Sequence, residues 1–142
     1  MIEKTYSLTP VQKNILSASA YSESSATYHI QVIFSLNELL NTALFEDAWK
    51  TVINKYEHFH LALTGAPNAK DTLLKFFNQA DFCVNFLDFS NFEFSQRNEA
   101  WKSLERSELK RPFNLKKPPL IRVALVKYTK NRFRLIITFH HL

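Results

Sequence analysis

The sequence predicts an α+β domain in which helices pack on a mostly antiparallel or mixed sheet. Segments with the three-to-four-residue apolar period of a helix alternate along the chain with segments of the two-residue period of a strand. The last two strand-like segments, 120–128 and 133–139, are separated by a short turn and are predicted to form a hairpin. A chain of 142 residues is long enough to bury one core, so the domain is expected to occupy 1–142.

Composition and charge narrow the classes of function. Gly65 is the one glycine, which argues against nucleotide-binding loops, because such loops need backbone that approaches a phosphate closely. Cys83 is the one cysteine; it predicts no disulfide, and its apolar neighbours place it in the core. The net charge of +5 favours acidic partners, but the basic residues are too scattered for a nucleic-acid platform. No apolar segment is long enough for a membrane span or leader, so a soluble cytoplasmic protein is expected.

The N-terminal third is predicted to contain a helix and then a strand. Thr9 suits a helix N-cap, Pro10 suits the first helical position, and Gln12 completes a capping box. The polar segment 21–27 predicts a loop after this helix. Strict alternation over 28–36 then predicts a half-buried strand whose polar face exposes His29.

A second helix is predicted over 42–56, with Asn41 as its N-cap. Its apolar positions form a wide stripe expected to be core: Leu44, Phe45, Ala48, Trp49, Val52, Ile53 and Tyr56. His58 and His60 have a spacing found in zinc sites, but no third ligand accompanies them, and no metal site is predicted. A short strand is expected to follow, and Gly65 to Asn68 has the composition of a turn.

The central part is predicted to contain strands over 73–77 and 82–87 and then a helix. Ser90 and Glu93 have the spacing of a capping box, which predicts a helix that begins there and ends near Lys110, before Pro112. Its inward positions are expected to include Phe94, Trp101 and Leu104.

The last two strands lead to a pair of histidines. Segment 120–128 is apolar on both faces, which predicts a position in the middle of a sheet. Segment 133–139 delivers His140 and His141 to the rim of that sheet, where an imidazole can accept a proton near neutral pH. By strand parity His141 follows the apolar face and is expected to point inward, whereas His140 takes the polar face.

Three patches, taken in order, resemble the N-terminal half of a condensation domain of nonribosomal peptide synthetases. They cover essentially the whole chain, and any one of them alone is a weak signal. The patches are Leu8-Thr9-Pro10-Val11-Gln12 with Ile15-Leu16; the segment from Phe45 to Phe59; and Arg111-Pro112-Phe113-Asn114-Leu115 with Pro119-Leu120-Ile121-Arg122-Val123 and Phe139-His140-His141.

The resemblance implies a chloramphenicol-acetyltransferase-like lobe of an acyltransferase with a His-His-x-x-x-Asp-Gly motif. Such domains form peptide bonds between aminoacyl or peptidyl thioesters borne on the phosphopantetheine arms of carrier domains. His141 would then be the general base or positioning residue for the acceptor amine, and His140 its structural support. The implied partners are acidic carrier domains and a C-terminal lobe, and no cofactor is expected on this chain itself.

Two departures from the family pattern bear on activity. The Asp and Gly of the motif would fall beyond Leu142, and the Arg that pairs with that Asp aligns with His60. The isolated chain, as a lobe truncated within its motif, is therefore expected to be inactive. Two alternatives remain open: a noncatalytic module that binds a carrier or another partner, and a lobe of a related acyltransferase that forms esters.

Overall fold

The computed structural model describes residues 4–21, 27–65 and 72–142. Within these residues the elements, in chain order, are β1 (Thr5–Ser7), α1 (Pro10–Tyr21), β2 (His29–Leu36), α2 (Thr42–Lys55), a 3-10 helix (Glu57–His60), β3 (Leu61–Leu63), β4 (Leu73–Phe76), β5 (Val84–Asp88), α3 (Phe94–Lys110), β6 (Ile121–Thr129) and β7 (Arg132–His140).

The larger sheet of the described residues has the strand order β2-β7-β6-β5. Its neighbours are antiparallel except for β5 and β6, which run parallel, so the predicted α+β class with a mixed sheet is confirmed. The predicted hairpin is formed by β6 and β7. Residues Val123 to Val126 of β6 are all buried, which confirms that this strand lies inside the sheet.

Helices cover both faces of this sheet. One face presents Leu125 and Leu135, against which Phe45 and Trp49 of α2 pack. The other face presents Ala124 and Ile136, which pack with Trp101 of α3. This layered arrangement holds the sheet rigidly, so the strand ends at its rim have fixed positions.

A smaller antiparallel sheet has the order β1-β4-β3 within the described residues. Leu63 and Leu74 of this sheet form a second core with Leu8 and with Leu16 of α1. Leu142, just past the end of β7, packs against the same cluster. The small sheet and α1 therefore meet the large sheet at the end where the two histidines lie.

Two predicted helix starts are confirmed. The Thr9 N–H donates to Gln12 Oε1 at 2.9 Å, and the Gln12 N–H donates to Thr9 Oγ1 at 3.2 Å, which closes the capping box of α1. Asn41 Oδ1 accepts from the N–H groups of Ala43 and Leu44 at 3.1 Å each, so α2 begins where it was predicted.

The predicted start of α3 is wrong. The Asp88 carboxylate accepts from the Ser90 N–H at 2.9 Å and from its hydroxyl at 2.5 Å, so Ser90 belongs to a turn and does not cap the helix. Glu93 is the N-cap, and its N–H donates to Gln96 Oε1 at 3.3 Å. Phe94 is consequently the first helical residue and is 77% exposed, whereas Trp101 and Leu104 pack inward as expected.

Other burial predictions also fail in part. Cys83 is exposed, because it precedes β5 and its neighbour Val84 takes the inward position. The predicted stripe of α2 is wider than the buried face, since Leu44, Val52 and Tyr56 are exposed. In β2, an edge strand, Ile30, Val32 and Phe34 remain partly exposed, and the polar face is the one that contacts α3.

Gly65 has a φ of 75°, a left-handed conformation that glycine adopts without strain and that fits the predicted turn. The rest of that turn and most of the predicted loop at 21–27 lie outside the described residues. Among the described helices, none has the length and apolar character needed to cross a lipid bilayer.

Candidate active site

Both histidines of the pair lie at the rim of the large sheet, but only His140 belongs to β7. The His140 N–H donates to the carbonyl of Leu120, the residue just before β6, at 3.0 Å. The His141 N–H donates to Tyr28 O at 2.8 Å. These hydrogen bonds hold the backbone of both histidines in place.

The His140 ring is half-buried among other rings. Its centroid lies 5.6 Å from that of His29, 6.2 Å from that of Phe113 and 6.5 Å from that of Tyr28. The Leu142 N–H donates to His140 Nδ1 at 3.1 Å, so Nδ1 acts as an acceptor and the neutral ring carries its proton on Nε2. Burial, together with the neighbouring His29 and His141, lowers the pKa of His140 to about 4. His140 is therefore neutral at physiological pH.

His29 is a residue of this site that sequence reasoning missed. It was expected to be exposed, but it is half-buried and directly opposite His140 across the β2–β7 pair. His29 Nδ1 donates to Leu109 O at 2.7 Å, and its ring packs edge-on against Phe113 with centroids 5.0 Å apart. Its position at the start of an edge strand gives no signal, because the ring is covered by the end of α3 and the segment after it, which are distant in sequence.

His141 lies one residue past the end of β7 and is exposed. The expectation that strand parity turns it inward is wrong for this chain, because the alternation of side chains applies only while the extended ladder continues. The two rings thus have different surroundings: His140 is packed and neutral, and His141 is open to solvent.

Phe113, which touches both His29 and His140, is held in turn by a charged cluster. The Arg122 guanidinium lies over the Phe113 ring, with its Cζ 3.8 Å from the centroid. Arg122 Nη2 donates to Glu108 O and Arg111 O at 2.8 Å each. The Glu108 carboxylate accepts from Arg111 Nη2 at 2.9 and 2.8 Å. These contacts of Arg122 and Glu108 therefore hold the C-terminal end of α3 next to Phe113 and the histidines.

A largely apolar cavity of about 420 Å³ opens beside His140, between the two sheets. The described residues that line it include Leu61, Leu74, Ile121 and Phe139, with Gln12, His58 and His140 as polar members. Gln12 Nε2 donates to Leu142 O at 2.8 Å, so the first helix is tied to the segment that follows the histidines. A cavity of this size matches the range for small-molecule sites.

His60 does not line this cavity, although its neighbours Phe59 and Leu61 do. It is buried; its Nδ1 is 3.0 Å from Phe77 O and its Nε2 is 3.2 Å from Ile53 O, near the C-terminal end of α2. His60 thereby links α2 to the end of β4. In the described part of the chain, no group of three or more His, Cys, Asp or Glu side chains could hold a metal ion.

These features define what the site can do chemically. The neutral, fixed imidazole of His140 lines an apolar cavity, and the exposed imidazole of His141 follows it in the chain. An imidazole can accept a proton from an attacking nucleophile. The amide of Gln12 and the backbone groups around Leu142 supply the nearby polar contacts. The arrangement fits a reaction in which a proton leaves an attacking nucleophile at the sheet rim.

Comparison with known families gives a match that spans nearly the whole chain. Residues 2–142 match the family described as Condensation domain. Curated relatives include a linear gramicidin synthase of Brevibacillus parabrevis, 33% identical over 137 residues. Tyrocidine synthase 2 of the same organism is 27% identical over 141 residues. The matched regions cover 96% and 99% of this chain but 2% and 4% of those proteins.

Solved structures show the same fold. The starter condensation domain of rhizomide synthetase superposes with a TM-score of 0.82 at 24% identity, covering 97% of this chain and 34% of that one. The cyclization-docking bidomain of a synthetase from Sorangium cellulosum gives a TM-score of 0.80 at 17% identity, with 96% and 27% covered. The chain thus spans between about a quarter and a third of those two chains.

Proposed function

The chain belongs to the condensation domain family, and we propose that it is the N-terminal lobe of a domain that forms amide bonds between carrier-borne aminoacyl or peptidyl thioesters in nonribosomal peptide synthesis. The family match over 2–142 is the observation that carries this proposal. The position of the histidine pair at the sheet rim, with His140 lining an apolar cavity, supports it.

In this proposal His141 assists the acceptor amine. Its exposed imidazole accepts or positions the proton of the amine as the nitrogen attacks the donor thioester carbonyl. The C–N bond forms, the C–S bond breaks, and the thiolate of the donor arm leaves and takes up a proton. His140, which is packed and neutral, supports the segment that bears His141.

The proposed partners supply what this lobe does not contain. The donor and acceptor groups arrive on the phosphopantetheine arms of carrier domains, whose acidic surfaces suit a chain with a net charge of +5. A C-terminal lobe provides the other wall of the reaction site.

The role of His141 is tested in the complete condensation domain by single-turnover formation of the amide product. His141→Ala is expected to slow product formation by about 100-fold or more while carriers still bind, since general base catalysis contributes at least that much. Lys130→Ala, in the turn between β6 and β7, is the matched surface control and is expected to leave the rate unchanged. Equal rates for His141→Ala and the wild type would exclude the assigned role.

A further inference from the structure

A second cavity lies at the opposite end of the large sheet from the histidines. It has a volume of about 240 Å³, and its lining includes Arg97, Arg132, Arg134, Tyr128, Asn98 and Phe94. Because β7 runs from Arg132 to His140, and a strand rises about 3.3 Å per residue, the two sites are separated by roughly 26 Å. The cavity is therefore separate from the candidate active site.

The lining combines three guanidinium groups with neutral polar side chains. Ser35, Asn37 and Asn98 contribute hydroxyl and amide groups, and none of the described residues that line the cavity carries a carboxylate. The salt bridges of the described residues include none of the three arginines. Glu105 lies close enough to act electrostatically on Tyr128, but it is not among the lining residues. A cluster of three like charges that forms no ion pair is costly unless an anion occupies it.

Two of these arginines are held in place by contacts that leave donors free. Arg97 donates from Nε to Phe89 O at 3.1 Å and from Nη2 to Phe92 O at 2.8 Å and Ser90 O at 3.3 Å. In the described residues its Nη1 makes no such bond, so both Nη1 protons remain for a ligand. Arg97 lies over the Tyr128 ring, with its Cζ 5.7 Å from the centroid.

Arg134 approaches the same ring. Its Cζ is 4.9 Å from the Tyr128 centroid and 4.7 Å from that of Trp101, and its Nη1 donates to the Tyr128 hydroxyl at 3.4 Å. Both guanidinium groups therefore lie close to the Tyr128 ring. Burial raises the pKa of Tyr128, so its hydroxyl stays neutral and can donate to an anion. The side chain of Arg132 is exposed at the mouth.

We propose that this cavity binds a phosphate dianion, either free or as the terminal group of a small phosphomonoester. Planar guanidinium groups bind phosphate oxygens with two parallel hydrogen bonds, and three arginines line this cavity, whose described lining includes no carboxylate. The volume is below the roughly 300 Å³ at which pockets for whole drug-sized ligands begin, so it suits one compact group. The exposed Phe94 ring stands at the rim, where an ester's organic part would extend.

The test is isothermal titration of the protein with inorganic phosphate and, separately, with glycerol 3-phosphate, at matched ionic strength. Saturable binding of at least one ligand is expected. Arg132→Gln should weaken it about tenfold, since it removes a charge-assisted contact from an exposed side chain. Arg134→Lys keeps the charge but loses the planar fork, and should also weaken binding. Tighter binding of the ester identifies the ester as the ligand, and equal binding identifies free phosphate.

Arg106→Gln is the matched control, because Arg106 is an exposed arginine on α3 outside the cavity. It should leave binding unchanged. Affinity for the ester should fall between pH 7 and pH 5, as the dianion takes up a proton near its second pKa of about 6. The proposal is overturned by absence of saturable binding, by equal binding to Arg132→Gln and the wild type, or by equal losses in Arg106→Gln and Arg132→Gln.

Discussion

Replacing Glu108 by glutamine tests whether the ion pair between Glu108 and Arg122 holds the end of α3 next to the histidines. The Glu108 side chain is buried, with a residue exposure of 6%, and its Oε2 lies 3.3 Å from Arg122 Nε. That contact is an ion pair without hydrogen-bond geometry, because Arg122 Nε has no hydrogen-bond partner in the described residues. Burial lowers the pKa of Arg122 and Glu108 opposes this effect, so the carboxylate stabilises the charged guanidinium.

The expected cost of Glu108→Gln follows from this geometry. Removing one partner of a buried ion pair typically costs about 3–5 kcal/mol, because the other charge is left without compensation. Arg122 keeps its bonds to the carbonyls of Glu108 and Arg111, and its side chain is partly exposed. We therefore expect the lower end of this range, about 3 kcal/mol in the free energy of unfolding.

Urea denaturation at pH 7 measures this change. Glu99→Gln, which alters an exposed carboxylate on the same helix, is the matched control and should stay within about 0.5 kcal/mol of the wild type. Because Arg122 supports Phe113, the contact between Phe113 and His140 should also loosen in Glu108→Gln, visible as a shift of the His140 ring signals by NMR. A free energy of unfolding within about 0.5 kcal/mol of the wild type would refute the proposed support.

Three further predictions concern the site and the first helix. The folded-state pKa of His140, about 4, lies below its unfolded value. The contribution of the neutral ring to the free energy of unfolding is therefore complete above about pH 6.5 and is lost as the pH falls toward 4. After allowance for solvent screening of this half-buried ring, the contribution amounts to about 1–2 kcal/mol. In urea denaturation, the wild type should lose that much stability relative to His140→Gln between pH 7.5 and about pH 4. Parallel losses in the two proteins would contradict this prediction. His29→Gln should raise the pKa of His140, as read by NMR titration of its ring, and an unchanged pKa would show that the two rings do not interact. Thr9→Ala should lower the free energy of unfolding by about 1 kcal/mol, because it removes the capping box. Ser17→Ala, within the same helix, should leave it nearly unchanged. Equal effects of the two substitutions would rule out the cap.

Features set by local chemistry could be predicted from the sequence. Thr9 and Asn41 cap their helices because the partner N–H groups lie two or three residues away in the same segment. The β6–β7 hairpin and the central position of β6 follow from a short turn and an uninterrupted apolar run. The resemblance to condensation domains rested on three local patches, and the family match confirms it.

Features set by distant contacts could not be predicted in this way. Ser90 has the spacing of a helix cap, but Asp88 binds it first. His29 lies on a polar strand face, yet the end of α3 covers it through Leu109, and the segment after α3 covers it through Phe113. Periodicity describes which residues share a face of an element, and it carries no information about which face a neighbouring element will cover.

The end of β7 illustrates the same limit within the site. Parity assigned an inward direction to His141, but the ladder ends at His140, and an exposed His141 results. The sequence thus predicted the histidine pair and its place at the rim, whereas the packing of His140 against His29 and Phe113 required the folded chain.

The most direct test of the proposed function is transfer of an acyl group between two carriers by the complete condensation domain. A donor carrier loaded with an aminoacyl thioester and an acceptor carrier loaded with an amino acid are mixed with the domain, and intact masses are recorded. We expect the acceptor carrier to gain the mass of the donor acyl group while the donor carrier loses it. Fully loaded carriers with no gain in acceptor mass would contradict the proposal that this chain belongs to an amide-forming enzyme.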